Sequence, residues 1–163
     1  MNSYVELVKA YPIYSAMIQF AVLGTFGDII SKWMQQGNVF MPYKVSILFL
    51  KILEWAFLAI TIKYAFVGFQ GFVDSLVSHQ LVPELGLFGT AFTVSVTMNL
   101  QFGLLLVILH RFLDNLIAQQ NNWKNIDKGM WSLIWFWIPA HTITFMLDKP
   151  YQIDLAATYS VVL

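Results

Sequence analysis

The chain has 163 residues, of which 58% are hydrophobic, 17% aromatic and 11% charged. Soluble domains are roughly half apolar and about a quarter charged, so this composition predicts an integral membrane protein with the lipid bilayer as its first partner. Nine Lys and Arg balance nine Asp and Glu, which leaves no basic face for nucleic acid, and the lack of cysteine excludes disulfides, thiolate nucleophiles and Cys-based metal centres.

The opening MNSYVELVKAYP has neither a basic n-region nor a small-residue cleavage motif, so the apolar run at 13–35 reads as a retained helix and not as a signal peptide. This is the first of four runs near the ~20 residues a spanning helix needs. Asp28 interrupts it. On a helix Asp28 shares a face with Gly24 and Ser31, and Gly27 lies beside it, a small-residue surface on which another helix can pack closely. Asp28 is therefore expected to face protein, with Lys32 one turn away as a pairing partner or snorkelling outward. Two roles stay open for it: a structural ion pair or interhelical hydrogen bond, or the lining of a polar path.

QGNVFMPY then forms a short turn, and the second run, 45–68, carries Lys51, Glu54 and Thr61 near one face. An acid and a base one turn apart would largely neutralise each other in mid-membrane. The connector GFVDSLVSHQLVPE sets Phe72, Val73, Leu76, Val77 and Leu81 against Asp74, Ser75, Ser78 and His79, which predicts a short interfacial helix. In the third run, 86–109, Gly86, Thr90, Thr93, Thr97 and Gln101 recur at helical spacing, with Asn99 to one side. Such hydroxyls either bond between helices or line a pore.

A second interfacial helix is expected in LDNLIAQQNNWKNIDKG, with Leu113, Leu116 and Ile117 as its apolar face and Trp123 as its anchor. The fourth run, 131–147, places His141, Thr144 and Asp148 at i, i+3, i+7, and Pro139 predicts a kink. LAATYSVVL at the end either completes that fourth helix beyond Pro150 or begins a helix that naturally continues past Leu163; the second is the expectation taken here. Lys32, Lys44, Arg111, Lys124 and Lys128 flank the first and third connectors, which the positive-inside tendency assigns to the cytoplasm or matrix.

These elements predict an all-α polytopic bundle of four transmembrane helices plus short interfacial helices, in one domain spanning 1–163. Polar stripes on all four helices point to a small-solute or ion pathway, its interior residues Asp28, Lys32, Lys51, Glu54, Thr90, Thr93, Thr97, Gln101, His141 and Thr144. A single-chain aqueous pore through four helices is narrow, so a homo-oligomer is allowed for. The competing expectation is a non-conducting scaffold in which the same groups only join helices. His79, His110 and His141 are too scattered for a metal motif, and no triad or HExxH occurs. No enzyme, metal or cofactor is predicted, and His110 reads as interfacial.

YVELVKAYPIY followed by GDIISKWM resembles the opening of the family of Mpv-seventeen and the twenty-two-kilodalton peroxisomal membrane protein, with Gly27, Asp28, Ile29, Ile30 and Ser31 matching its GD-II-S/Q stretch. NNWKNIDKGMWSLIWFWIPAHTITFMLDKP resembles its second motif at Asn122, Trp123, Pro139 and Pro150. The likeness covers nearly the whole chain but departs from the pattern at Ile138, Thr142, Phe145 and Asp154, as a divergent branch, a bacterial one included, would. The resemblance implies four membrane helices, a mitochondrial inner or peroxisomal membrane (the cell inner membrane for a bacterial member) and channel activity. Cysteine-based redox gating is excluded here.

Overall fold

The computed structural model describes residues 3–162, and among these the chain is all-helical, with no strand. A short α1 (Ser3–Ala10) leads into α2 (Pro12–Gln36), whose first turn uses Pro12 where the missing N–H costs nothing. Gly37 ends α2 in the left-handed conformation (φ 68°), its N–H closing on the Trp33 carbonyl. The chain then returns through α3 (Val45–Ser78), rises through α4 (Leu87–Met98) and α5 (Leu104–Ile117), and descends through α6 (Ile126–Ser132) and α7 (Ile138–Phe145). Finally α8 (Lys149–Val162) runs back beside α2 and α7.

Three continuous segments are long and apolar enough to cross a membrane: Pro12–Gln36, Val45–Ser78 and Leu87–Ile117. Within the apolar 18-residue stretch of each, only 28–33% of the residues are buried inside the protein. On α2 the division is clean: Tyr14, Ile18, Val22 and Phe26 project outward at every fourth position, whereas Ala16, Phe20, Gly24 and Gly27 face the core. A helix in a water-soluble bundle would put polar residues on that outer stripe. The core itself gathers Phe20, Leu58, Phe66, Val94, Phe145 and Ala157 from five helices.

Several expectations change at the helix ends. Residues 71–78 continue α3, and Leu113, Leu116 and Ile117 continue α5, so neither connector forms a separate interfacial helix. Hydrogen bonding explains this: backbone groups already paired in a long helix gain nothing from breaking. The expected fourth span is helical from 126 to 145, but Asp127, Lys128 and His141 dilute its apolar character, and it is not among the three helices both long and apolar enough to cross a membrane. LAATYSVVL belongs to an independent helix, separated from α7 by a turn at 146–148, and so does not extend the fourth run. Leu163 lies outside the described residues.

Pro139 acts through a π-helical turn at Leu133–Trp137, directly before α7. A second π-turn, Asn99–Gly103, joins α4 to α5 without any proline. The two meet where Gly103 admits the Leu133 side chain: a β-carbon there would lie 2.9 Å from Leu133 Cδ2. Gly24 leaves room for the Trp55 ring, and Gly27 lets α2 approach the α8 backbone at Ser160.

These contacts set opposite signs for two glycine substitutions in thermal unfolding of detergent-solubilised protein. Gly27→Val forces α2 from the Ser160 carbonyl and lowers stability by about 1–3 kcal/mol. Gly68→Ala, where nothing lies within 4 Å, leaves stability unchanged or raises it by up to about 1 kcal/mol.

Candidate functional site

The end of the bundle beside the first and third connectors holds a cluster of charged groups from three helices. Lys51, near the start of α3, directs its ammonium at Glu54 one turn on (2.8 Å), at Asp28 of α2 (3.2 Å) and at Asp114 of α5. Trp55 donates its indole N–H to the same Asp28 oxygen at 3.1 Å. Antiparallel packing puts the late part of α2, the early part of α3 and the late part of α5 at one level, which is why residues so distant in sequence meet.

His110 completes the cluster. It lies one turn before Asp114 on α5, its ring centroid 4.7 Å from that of Trp55. Its Nε2 faces Glu54 Oε1 at 3.6 Å and Asp114 Oδ2 at 3.9 Å. Burial is graded: the Glu54 side chain is 1% exposed, Lys51 6%, Asp28 18% and Asp114 30%. Ionised carboxylates buried this deeply require a counter-charge or donors. Lys51 supplies one positive charge to three of them. One oxygen remains unserved, since Glu54 Oε1 and the facing His110 Nε2 are buried without a hydrogen-bond partner. Asp28, Glu54, His110 and Asp114 each offer a ligand atom within 4.8 Å of the others, so these four could hold a metal ion.

A cavity of about 360 Å³ opens from this cluster into the bundle. Asp28, Ser31, His110, Arg111 and Asp114 line its charged end, and Asn99 and His141 lie on its wall further in, with apolar Phe20, Leu58 and Met98 between. Asn99 and His141 Nδ1 form a hydrogen bond of 3.1 Å whose direction follows the imidazole tautomer. Ser95 donates to the Ile138 carbonyl at 2.7 Å, so α4 serves a backbone group beside the Pro139 discontinuity. Tyr43, in the connector between α2 and α3, feels the cluster too: burial, followed by the charge of Asp28, pushes its phenol up to about 12.

Other expected residues lie elsewhere. Lys32 is half-buried and outside ion-pair distance of Asp28, whose lysine partner is Lys51. Thr93 and Thr97 donate back to the carbonyls of Gly89 and Thr93, and Thr90 to that of Leu85; Gln101 is exposed, and none of the four lines the cavity. The buried face of α4 is instead Ala91, Val94, Ser95 and Met98. Thr144 is fully buried and bonds to the Ala140 carbonyl at 3.0 Å. His110, expected to be interfacial, stands within the charged cluster at the end of the bundle. Asp114 and Trp55 are partners that sequence reasoning missed. The i, i+4 spacing of His110 and Asp114 in HRFLD was the available signal.

Neither family models, curated proteins nor solved structures contain a match to this chain.

Removing the Lys51 ammonium leaves three carboxylates facing one another, so Lys51→Met is expected to cost about 3–5 kcal/mol of stability. Adding Glu54→Gln should recover part of that loss, because one of the repelling charges goes with it. Additive losses in the double variant, read by denaturant unfolding in mixed micelles, would show that the two side chains are not coupled.

Proposed function

We propose that the chain is an integral membrane protein that provides a pathway for a small polar solute or ion, entered at the charged end of the cavity. The observation that carries this reading is the cavity itself: about 360 Å³ between helices of spanning length, walled by Asp28, His110, Arg111 and Asp114. Ionisable groups within apolar helices are costly and characteristically mark ion or substrate routes. In this reading α6 and α7 together make a fourth crossing, and the lysine-rich connectors face the cytoplasm or matrix. Membership of the Mpv-seventeen and peroxisomal membrane protein family, with a mitochondrial inner or peroxisomal location, is part of the same proposal and rests on the two sequence motifs.

A second reading has its own support. Asp28 is bonded to Trp55 and Lys51, and Thr93 and Thr97 satisfy themselves on their own helix. A non-conducting scaffold would use the cluster solely to fix α2, α3 and α5.

Flux through liposomes containing the purified protein separates the two. A pathway predicts ion or small-solute flux above empty liposomes that Asp28→Asn and His110→Gln alter severalfold, while Thr97→Leu, off the cavity, leaves it unchanged. Flux equal to that of empty liposomes from correctly folded protein favours the scaffold.

A further inference from the structure

The charged cluster is asymmetric in a way that ion pairing alone does not account for. Lys51 takes one oxygen from each of two carboxylates, Glu54 Oε2 and Asp114 Oδ1. Their other oxygens, Glu54 Oε1 and Asp114 Oδ2, both turn towards His110 Nε2, at 3.6 and 3.9 Å. Glu54 Oε1 and His110 Nε2 are buried and lack any hydrogen-bond partner. Two carboxylate oxygens that Lys51 does not take thus lie near one imidazole nitrogen, and the three carboxylates carry two formal negative charges more than Lys51 cancels.

We infer that the cluster binds a divalent first-row transition-metal cation through Glu54 Oε1, Asp114 Oδ2 and His110 Nε2, with Asp28 as the adjacent fourth carboxylate. The spacing suits such an ion. Two ligands about 2.1 Å from one metal at a tetrahedral angle stand roughly 3.4 Å apart, so the 3.6 and 3.9 Å separations from His110 Nε2 need to contract only slightly, and the four residues, whose ligand atoms lie within 4.8 Å of one another, close in further around the ion. The mixed imidazole and carboxylate set fits manganese, iron or zinc better than the all-oxygen cages of calcium or magnesium. A divalent cation also supplies the charge that Lys51 leaves uncompensated. The ion reaches the cluster through the cavity, on which His110, Asp114 and Asp28 all open. Lys51 then acts as the fixed cation that keeps the far oxygens occupied and the near oxygens aimed.

The site does not depend on the pathway reading. Binding is measured at equilibrium, without a gradient, so flux without metal binding would sink only the site and binding without flux only the pathway. Full-length protein, stripped with chelator and free of any affinity tag, is dialysed in nanodiscs against Mn²⁺ alone. About one Mn²⁺ per chain is expected, with nitrogen modulation from one imidazole in the pulsed electron paramagnetic resonance spectrum. His110→Gln should weaken binding at least tenfold and remove the modulation, Asp114→Asn should weaken it while keeping the modulation, and exposed His79→Gln should change neither. Binding no greater than that of protein-free nanodiscs would overturn the site. So would a wild-type spectrum without nitrogen modulation, a result that needs no variant to fold, or a modulation that survives His110→Gln.

Discussion

One ammonium group organises this bundle. Lys51 meets carboxylates from α2, α3 and α5, and among the described residues no other side chain reaches all three helices with a charge. Three of the bundle's helices are long and apolar enough to cross a membrane, and for helices in lipid the hydrophobic effect gives little direction, because a lipid contact is as apolar as a helix contact. Register then falls to close packing and to polar groups that must find partners. Lys51 fixes the register at one end, and weaker contacts do so at the other: Gln70 donates to Gln152 across α3 and α8, and Tyr4 stacks on Tyr151.

Between these ends the helices are made to fit by local departures from regularity. Gly24 and Gly27 bring Trp55 and α8 against α2, which is how the indole comes to donate to Asp28. The π-turns at Asn99–Gly103 and Leu133–Trp137 each add a residue to a helical turn and shift the faces that follow. That shift has a chemical consequence. Asn99 turns to His141, and His110 and Asp114 turn to the cluster, whereas an unbroken helix would carry the later pair further round the axis. The cavity lies beside this offset, with Gly103 and Leu133 on its wall.

Much of the architecture was legible in the sequence because long apolar runs have few other solutions. Asp28 was legible as an inward group from the glycines around it, and Lys51 with Glu54 as a pair from their spacing. Its partner was not legible: Lys32 is guaranteed to lie one turn away, but only tertiary packing brings Lys51 closer. Asp114 was obscured by an amphipathic pattern that serves equally for an interfacial helix and for the end of a long spanning one. The threonine stripe misled for a different reason. A hydroxyl within a helix can bond to the carbonyl one turn back, so Thr93 and Thr97 carry their own partners and can face outward.

The same energetics bear on why such a cluster exists at all. Replacing a buried ion pair with well-packed apolar residues is often neutral or stabilising, so holding three helices together does not by itself call for three carboxylates. A cluster built only for stability would close its hydrogen-bond account, for instance with a donor on Glu54 Oε1. Instead that oxygen is kept buried and aimed at an imidazole nitrogen that is also unpartnered, beside a cavity large enough for a small ligand. Leaving a buried acceptor unpaired costs about 1–3 kcal/mol, more for a charged group. A bundle with this much apolar surface could shed that cost by a single substitution, which favours a cluster that exchanges something with the cavity over one that merely ties helices together.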